Sequence, residues 1–183
     1  LEMNDTSFSC PKNKLDRLCS LYEHDPVGMP KLLEIPFLNT RMASGGGGLF
    51  STMHDYHNFC HMLLHDGEFE GKRIIGRKTL ELMTTNHLPD NQDLTEMSES
   101  AFSETPYAGV GFGLGFSVML DPAKSQSVSD IGEFGWGGAA STVFMINPNE
   151  EMFIIFLTQL LPSSTYQVRR ELRSLIYSAL MPE

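Results

Sequence analysis

The sequence has few cysteines, no long hydrophobic run and no concentration of positive charge. The three cysteines are odd in number, at spacings that fit neither a disulfide framework nor a zinc site, so we expect reduced thiols. Apolar runs such as Met152 to Leu157 are far below the ~20 residues that cross a bilayer, so no membrane span is expected. With 13 basic against 23 acidic residues, a net charge of −10 and no basic stripe, the chain is not expected to bind nucleic acid or anionic membranes.

The composition is that of a folded globular body. Hydrophobic residues make up 41% and charged residues 20% of the 183 residues, within the size range of one domain. The chain opens on Leu1 with no signal-like stretch. A truncated chain would have lost such a signal, so the compartment stays open.

Hydrophobic spacing predicts three helices after an extended connecting segment of about 40 residues. The first covers residues 51 to 64, the second 77 to 84 and the third 165 to 180. In the first, we expect a buried face of Met53, Tyr56, Cys60 and Leu63 and a solvent-facing stripe of His54, His57, His61 and His65. In the third, the apolar face is Val168, Leu172, Leu175, Ile176 and Ala179.

Strands are predicted in the second half of the chain, where the sequence alternates with period two from Val110 to Leu120 and two further stretches are joined by turn-forming residues. We expect strands over residues 112 to 120, 140 to 147 and 152 to 158, the last two joined by the turn Asn147-Pro148-Asn149-Glu150. Residues 86 to 107 have no period and are expected to form an exposed loop. The grouping of strands between helices indicates an α+β fold with an antiparallel sheet flanked by helices.

An ordered set of short motifs runs along the whole chain. They are Leu1-Glu2-Met3-Asn4-Asp5-Thr6-Ser7-Phe8, Asp16-Arg17-Leu18 with Tyr22, Gly47-Gly48-Leu49-Phe50-Ser51-Thr52 with Asp55 and Phe59, Gly111-Phe112-Gly113-Leu114-Gly115-Phe116, and Phe134-Gly135-Trp136-Gly137-Gly138-Ala139-Ala140. In this order they resemble the class C β-lactamase and esterase-like branch of the β-lactamase and penicillin-binding-protein family of serine hydrolases. The resemblance implies a β-lactamase/transpeptidase-like fold and no cofactor.

The resemblance also implies that the catalytic groups lie outside this chain. In that family the nucleophile is a serine in a Ser-x-x-Lys motif, and a tyrosine from a second motif carries the proton; both precede the segment where this chain begins. We therefore expect residues 1–183 to be a single partial domain whose N-terminal catalytic part is missing. Its partner would be that missing part, and alone it should be inert, because a hydroxyl without a base is a weak nucleophile.

The third active-site motif of the family corresponds to Trp136, Gly137 and Gly138. By resemblance these residues occupy an edge strand beside the nucleophile, Ala139 supplies one oxyanion-hole N–H, and Gly47 and Gly48 line the cleft wall. From the residues alone, a glycine bulge with a core tryptophan, and a flexible turn before a helix, are the alternatives.

Trp136 also bears on the substrate, which for the complete enzyme is expected to be a small-molecule ester, amide or lactam. Many relatives have Lys or His at this position, where a cation can hold a substrate carboxylate. Tryptophan has no such charge, so neutral esters or amides fit better than lactams.

Three sequence features resemble catalytic, metal-binding or nucleotide-binding motifs but are interpreted as structural. Ser9-Cys10-Pro11-Lys12 fits Ser-x-x-Lys literally, but it lies among turn formers and matches a downstream family segment. The histidine stripe has no evident third ligand, so no metal site is expected. The glycines at positions 109 to 115 do not match a dinucleotide-binding fingerprint.

A second function class remains open alongside the hydrolase. The chain could be a natural truncation that persists as a non-catalytic binding or scaffold module derived from the same fold.

Overall fold

The computed structural model describes residues 1–35, 42–97, 107–163 and 165–181. Within these ranges the helices are α1 (Met53–Leu64), α2 (Arg77–Met83), α3 (Leu94–Met97), α4 (Pro122–Ser125) and α5 (Val168–Tyr177). The strands are β1 (Leu21–Glu23), β2 (Lys31–Leu33), β3 (Glu68–Phe69), β4 (Lys72–Arg73), β5 (Val110–Phe112), β6 (Ser117–Met119), β7 (Phe134–Gly137), β8 (Val143–Asn147), β9 (Met152–Phe156) and β10 (Leu160–Leu161). None of the helices in these ranges is long and apolar enough to cross a bilayer.

A five-stranded sheet in the order β5-β6-β7-β8-β9 forms the centre of the structure, and every neighbouring pair is antiparallel. The predicted hairpin is confirmed, with β8 and β9 in register from Val143 opposite Phe156 to Asn147 opposite Met152. The four-residue connection allows only antiparallel pairing. The predicted α+β class is therefore correct.

Helices cover both faces of this sheet. On one face, α1 packs against a core that includes Phe134, Phe144 and Ile146. On the other, Leu172 and Ile176 of α5 pack against a second buried cluster. Alternate residues of a strand point to opposite faces, so a strand between two helical layers is buried on both, and all five residues of β8 are buried. Four of them are apolar, and the fifth, Asn147, donates to Asp130 and Tyr177.

The strand predicted over residues 112 to 120 is only partly confirmed: Ser117–Met119 is strand β6, but Phe112 ends β5 and the residues between them form the turn of a hairpin. A Cβ on Gly113 would lie 2.1 Å from the Met83 carbonyl oxygen, and Gly115 has a φ of +100°. The Leu114 N–H donates to Met83 O at 2.8 Å, which fixes the turn against the end of α2. Gly113 and Gly115 form the turn of the hairpin. Their spacing in the sequence resembles strand alternation but does not correspond to one continuous strand.

Helix α1 is present, but its buried face differs from the prediction in one residue. Met53 is 50% exposed, because packing against the core begins one turn later at Tyr56. Cys60 and Leu63 are buried as predicted. Asp55 is buried as well, so α1 is covered on a second face that the apolar period did not reveal.

The histidine stripe of α1 is largely exposed, as predicted. His54, His57 and His65 lie at the surface, whereas His61 is half-buried with its ring 5.9 Å from that of Phe69. The His61 and His65 rings stack at 4.0 Å.

Helix α5 is shorter than predicted, and two residues of its predicted apolar face, Leu175 and Ala179, are exposed. Leu175 is 69% exposed, whereas Leu172 and Ile176 contact the sheet. Arg169 and Arg173 occupy the remaining positions of the inner face, where they donate to partners on the sheet side. The inner face is therefore rotated from the one that hydrophobicity alone predicts.

The first 40 residues contain regular structure that the sequence did not predict. β1 pairs antiparallel with β2 and parallel with β10, in strands too short for a period of two to be recognised. Residues 36–41 of this stretch lie outside the described residues.

The loop predicted over residues 86 to 107 is only partly confirmed. It contains a 3₁₀ turn, Pro89–Asn91, and helix α3. Asp93 is buried there and accepts from the Gly109 N–H at 2.7 Å. Residues 98–106 lie outside the described part of the chain.

Replacement of Gly113 by alanine should destabilise the protein by about 1–3 kcal/mol, because the new Cβ collides with the backbone of Met83. Urea denaturation followed by circular dichroism measures this free energy of unfolding. Gly46→Ala is the matched control, since a Cβ there meets only Ser44 Oγ at 3.8 Å, and it should stay within about 0.5 kcal/mol. Equal effects of both substitutions would contradict the close approach at Gly113.

Cys60 should resist thiol reagents in the folded protein. Its side chain is fully buried, and burial raises the pKa of the thiol to about 12, so the reactive thiolate is scarce at pH 8. Intact mass after iodoacetamide treatment should show labelling of the exposed Cys19 and the half-buried Cys10, and of all three cysteines after denaturation. Rapid native labelling of Cys60 would contradict its place in the core.

Candidate active site

The end of strand β7 carries the residues that sequence analysis singled out. Pairing with β6 stops at Gly135, whereas pairing with β8 continues to Gly137. The strand is therefore internal where it begins and has one open side at Trp136 and Gly137. The expected edge strand is correct only for this second half.

The turn after β7 leaves one backbone amide unused. The Gly138 N–H donates to Thr142 O at 2.9 Å, and the Ser141 N–H donates to Gly138 O at 3.1 Å. Within the described ranges no acceptor is bonded to the N–H of Ala139, which is exposed. A fixed, unpaired amide of this kind can bind an anion or a developing negative charge.

Trp136 forms an aromatic wall beside this turn. It is half-buried and packs against the α1-side core, with its ring edge-to-face with Phe112 at 5.0 Å and parallel to Tyr107 at 6.1 Å. The pairing of β7 with β8 is regular over all four residues, so the alternative of a glycine bulge is wrong. The surface that Trp136 offers is apolar and uncharged.

Gly137, at the end of β7, and Gly138, in the turn after it, lie against side chains of this chain that leave no space for a Cβ. A Cβ on Gly137 would lie 2.6 Å from Cζ of Arg169, and one on Gly138 would lie 2.4 Å from Oγ1 of Thr142. Internal packing therefore requires glycine at both positions, and their role in substrate binding stays a prediction.

Arg169 was missed by sequence analysis, although it lies next to this turn. Its Nη2 donates to the carbonyl oxygens of Gly138 at 2.6 Å and Thr142 at 2.9 Å. The signal in the sequence is the spacing of Arg169, Arg173 and Tyr177, which places three polar residues on one face of α5.

A cavity of about 120 Å³ lies between the sheet and α5, bordered by Gly135, Gly137 and the arginines of α5. The buried Glu133 at its wall accepts from Arg173 Nη2 at 2.5 Å and from the Tyr177 hydroxyl. Burial is the largest cause that raises the pKa of the Tyr177 hydroxyl, and its hydrogen bond to Glu133 is the second. The hydroxyl therefore stays protonated at neutral pH, and this network holds α5 on the sheet.

Gly47 and Gly48 are not among the residues that border this cavity. A Cβ on either would meet nothing within 4 Å, and Gly48 has a φ of +88°. This positive φ fits the turn interpretation, and their place in a cleft wall remains a prediction.

Two further motifs that resemble the family contact each other directly: the N-terminal motif, which contains Asp5 and Thr6, and the motif at the start of α1, which contains Ser51 and Asp55. The Asp55 carboxylate accepts from the Asp5 N–H and the Thr6 hydroxyl, both at 2.8 Å. Thr6 Oγ1 also lies 2.8 Å from Ser51 Oγ, and Ser7 and Phe50 exchange backbone hydrogen bonds. These residues attach the N-terminal segment to the start of α1, which is a structural role.

The Ser9-Cys10-Pro11-Lys12 match to Ser-x-x-Lys has no catalytic geometry. Ser9 is exposed and precedes the 3₁₀ helix Lys12–Arg17, so Ser9 and Lys12 do not share a helical turn. No cluster of three or more His, Cys, Asp or Glu side chains suited to a metal ion occurs in the described parts of the chain.

Solved structures with a similar fold include, by their descriptions, a synthase, a hydrolase and a penicillin-binding protein homolog. Simvastatin synthase (LovD) from Aspergillus terreus superposes with a TM-score of 0.78 at 19% identity, over 98% of this chain and 47% of its own. EstCE1, a hydrolase with promiscuous acyltransferase activity, gives 0.74 at 20% identity, over 96% and 47%. A penicillin-binding protein homolog from Caulobacter crescentus gives 0.62 at 17%, over 96% and 48%. These likenesses establish the β-lactamase/transpeptidase-like fold.

The family follows from a sequence match. The Beta-lactamase family model matches residues 1–178, and the chain belongs to this family. Two curated relatives from Mycobacterium tuberculosis are each 34% identical over 172 residues, which are 87% of this chain and 40% of theirs. The chain thus spans less than half the length of the relatives it matches.

Loss of the Asp55 carboxylate should detach the N-terminal segment. Asp55→Ala leaves a backbone N–H and a hydroxyl without their acceptor, and we expect a loss of about 2–3 kcal/mol in the free energy of unfolding. Asp16→Ala, at an exposed position, is the control. Limited proteolysis should cut the Asp55 variant within its first 20 residues; equal resistance of both variants would refute the anchoring role.

Proposed function

We propose that this chain is the C-terminal part of a serine hydrolase that acts through an acyl-enzyme on neutral esters or amides. The observation that carries the proposal is the unpaired amide of Ala139 at the end of β7, next to the aromatic wall of Trp136. Membership of the Beta-lactamase family supports it. The nucleophile and its base would come from an upstream segment.

The chemistry assigned to this chain is stabilisation of negative charge. An upstream serine would attack the substrate carbonyl and lose its proton to an upstream base. The oxygen of the resulting tetrahedral intermediate would accept from the Ala139 N–H and from a second donor outside this chain. Collapse expels the alcohol or amine with that proton, and water then releases the acid from the acyl-enzyme.

The proposed substrate class follows from the absence of charge at Trp136. Its neighbours Phe112 and Tyr107 are aromatic, so this wall favours an apolar acyl group over a carboxylate. The description of EstCE1 as a hydrolase with acyltransferase activity fits ester chemistry on this fold.

The second candidate is a non-catalytic binding or scaffold module. It is favoured by the lack of an identified nucleophile–base pair in the described parts of the chain, where Ser9 and Lys12 share no helical turn. The intact mass of the native protein separates the two functions. Upstream residues that contain Ser-x-x-Lys and a catalytic tyrosine support the hydrolase, whereas a native mass equal to that of this chain supports the module.

The isolated chain should be inert, because an oxyanion donor acts only after a nucleophile has attacked. We expect no burst from p-nitrophenyl esters, no turnover of a chromogenic cephalosporin and no covalent adduct with a fluorophosphonate. A protein that includes the upstream segment should hydrolyse esters faster than lactams. A fluorophosphonate adduct on Ser9 that Lys12→Ala abolishes would overturn this expectation.

A further inference from the structure

We infer that Arg169 is a positioning residue for the oxyanion site: its guanidinium holds the Gly138–Thr142 turn so that the Ala139 N–H stays directed outward. This inference rests on the proposed function, because it assigns the turn its catalytic purpose. It adds a residue on a different element, helix α5, to the site at the end of β7.

The contacts of Arg169 span the turn that carries Ala139. Nη2 donates to Gly138 O, immediately before Ala139, at 2.6 Å, and to Thr142 O, at the turn's end, at 2.9 Å. Both acceptors are backbone carbonyls that already belong to the turn's own hydrogen bonds with Gly138 and Ser141. One planar cation therefore ties the two ends of the turn together, and charge-assisted bonds are stronger than neutral ones.

The sequence leaves space for this guanidinium. A Cβ on Gly137 would lie 2.6 Å from Cζ and 2.7 Å from Nη2 of Arg169. Glycine at position 137 therefore allows Arg169 to bind the carbonyl oxygens of Gly138 and Thr142. On the far side of the turn, Ser141 Oγ donates to Leu160 O at 2.7 Å and the Leu160 N–H donates to Ala140 O at 3.1 Å.

Helix α5 is itself fixed, so Arg169 can transmit its position. One turn along the helix, Arg173 bonds to the buried Glu133, the residue that precedes β7. Arg169 and Arg173 therefore bind the two ends of the same strand segment. Loss of Arg169 would free the turn while leaving α5 attached through Glu133.

Hydrogen–deuterium exchange on the native protein tests the positional part. In Arg169→Met, the hydrogen-bonded turn amides of Gly138 and Ser141 should exchange at least about tenfold faster, while those of β8 stay protected. Arg170→Met is the matched control, because Arg170 is the next residue, is exposed, and donates to Gln126 O instead. Gly137→Ala should have the same effect, because its Cβ would displace the Arg169 guanidinium. This variant provides the test if Arg169→Met fails to fold. Unchanged exchange in both turn variants overturns the inference.

Kinetics of the form that carries the upstream serine test the catalytic part. Arg169→Met should lower kcat for a p-nitrophenyl ester by about 10²-fold, with KM within about threefold, as expected for loss of an oxyanion donor. Arg169→Lys should recover part of kcat, and Arg170→Met should keep it. Faster exchange without a fall in kcat overturns the inference. Absence of ester turnover in the unsubstituted protein is instead a failure of the proposed function, and the exchange result then decides the role of Arg169 alone.

Discussion

Burial of strand β8 on both faces is the constraint on which the rest of the fold depends. A strand whose five residues are all buried needs one apolar layer above and another below it. Helix α1 supplies the first through its Tyr56–Cys60–Leu63 face, and α5 supplies the second through Leu172 and Ile176. The neighbouring strands β7 and β9 follow from the tight turns on either side of β8. The candidate oxyanion amide lies in one of those turns, so its position is a result of core packing.

Buried carboxylates fix the segments that the sheet does not. Asp55 binds the N-terminal segment, Asp93 binds the Gly109 N–H and Lys124, and Glu133 binds α5. Each is satisfied by donors distant in sequence, which offsets the cost of removing a charge from water. Polar interactions therefore determine where the loops and helix ends lie once the apolar layers have formed.

The parts of the fold that follow a single strong period were predictable, and the parts that depend on tertiary contacts were not. The α1 helix follows a 3.6-residue period behind a capping threonine, and the β8–β9 hairpin follows two short apolar runs joined by turn-forming residues. The alternation around Gly113 and Gly115 could not be recognised as a turn, because the carbonyl that excludes a side chain there belongs to Met83 in another element. At the site, Trp136 and Ala139 were predicted through motif resemblance. Arg169 was not, because its importance depends on a helix packing onto a turn 30 residues earlier, a contact without a local signature.

Strand β9 has consequences for how this chain behaves in solution. Its five residues bond only to β8 among the residues described, so one row of backbone donors and acceptors faces outward. The apolar Leu157, which follows the strand, is 42% exposed, and no lysine or proline lies within Met152–Phe156 to discourage pairing. Such an edge is a template for strand addition between identical molecules. We therefore expect the isolated chain to self-associate as its concentration rises.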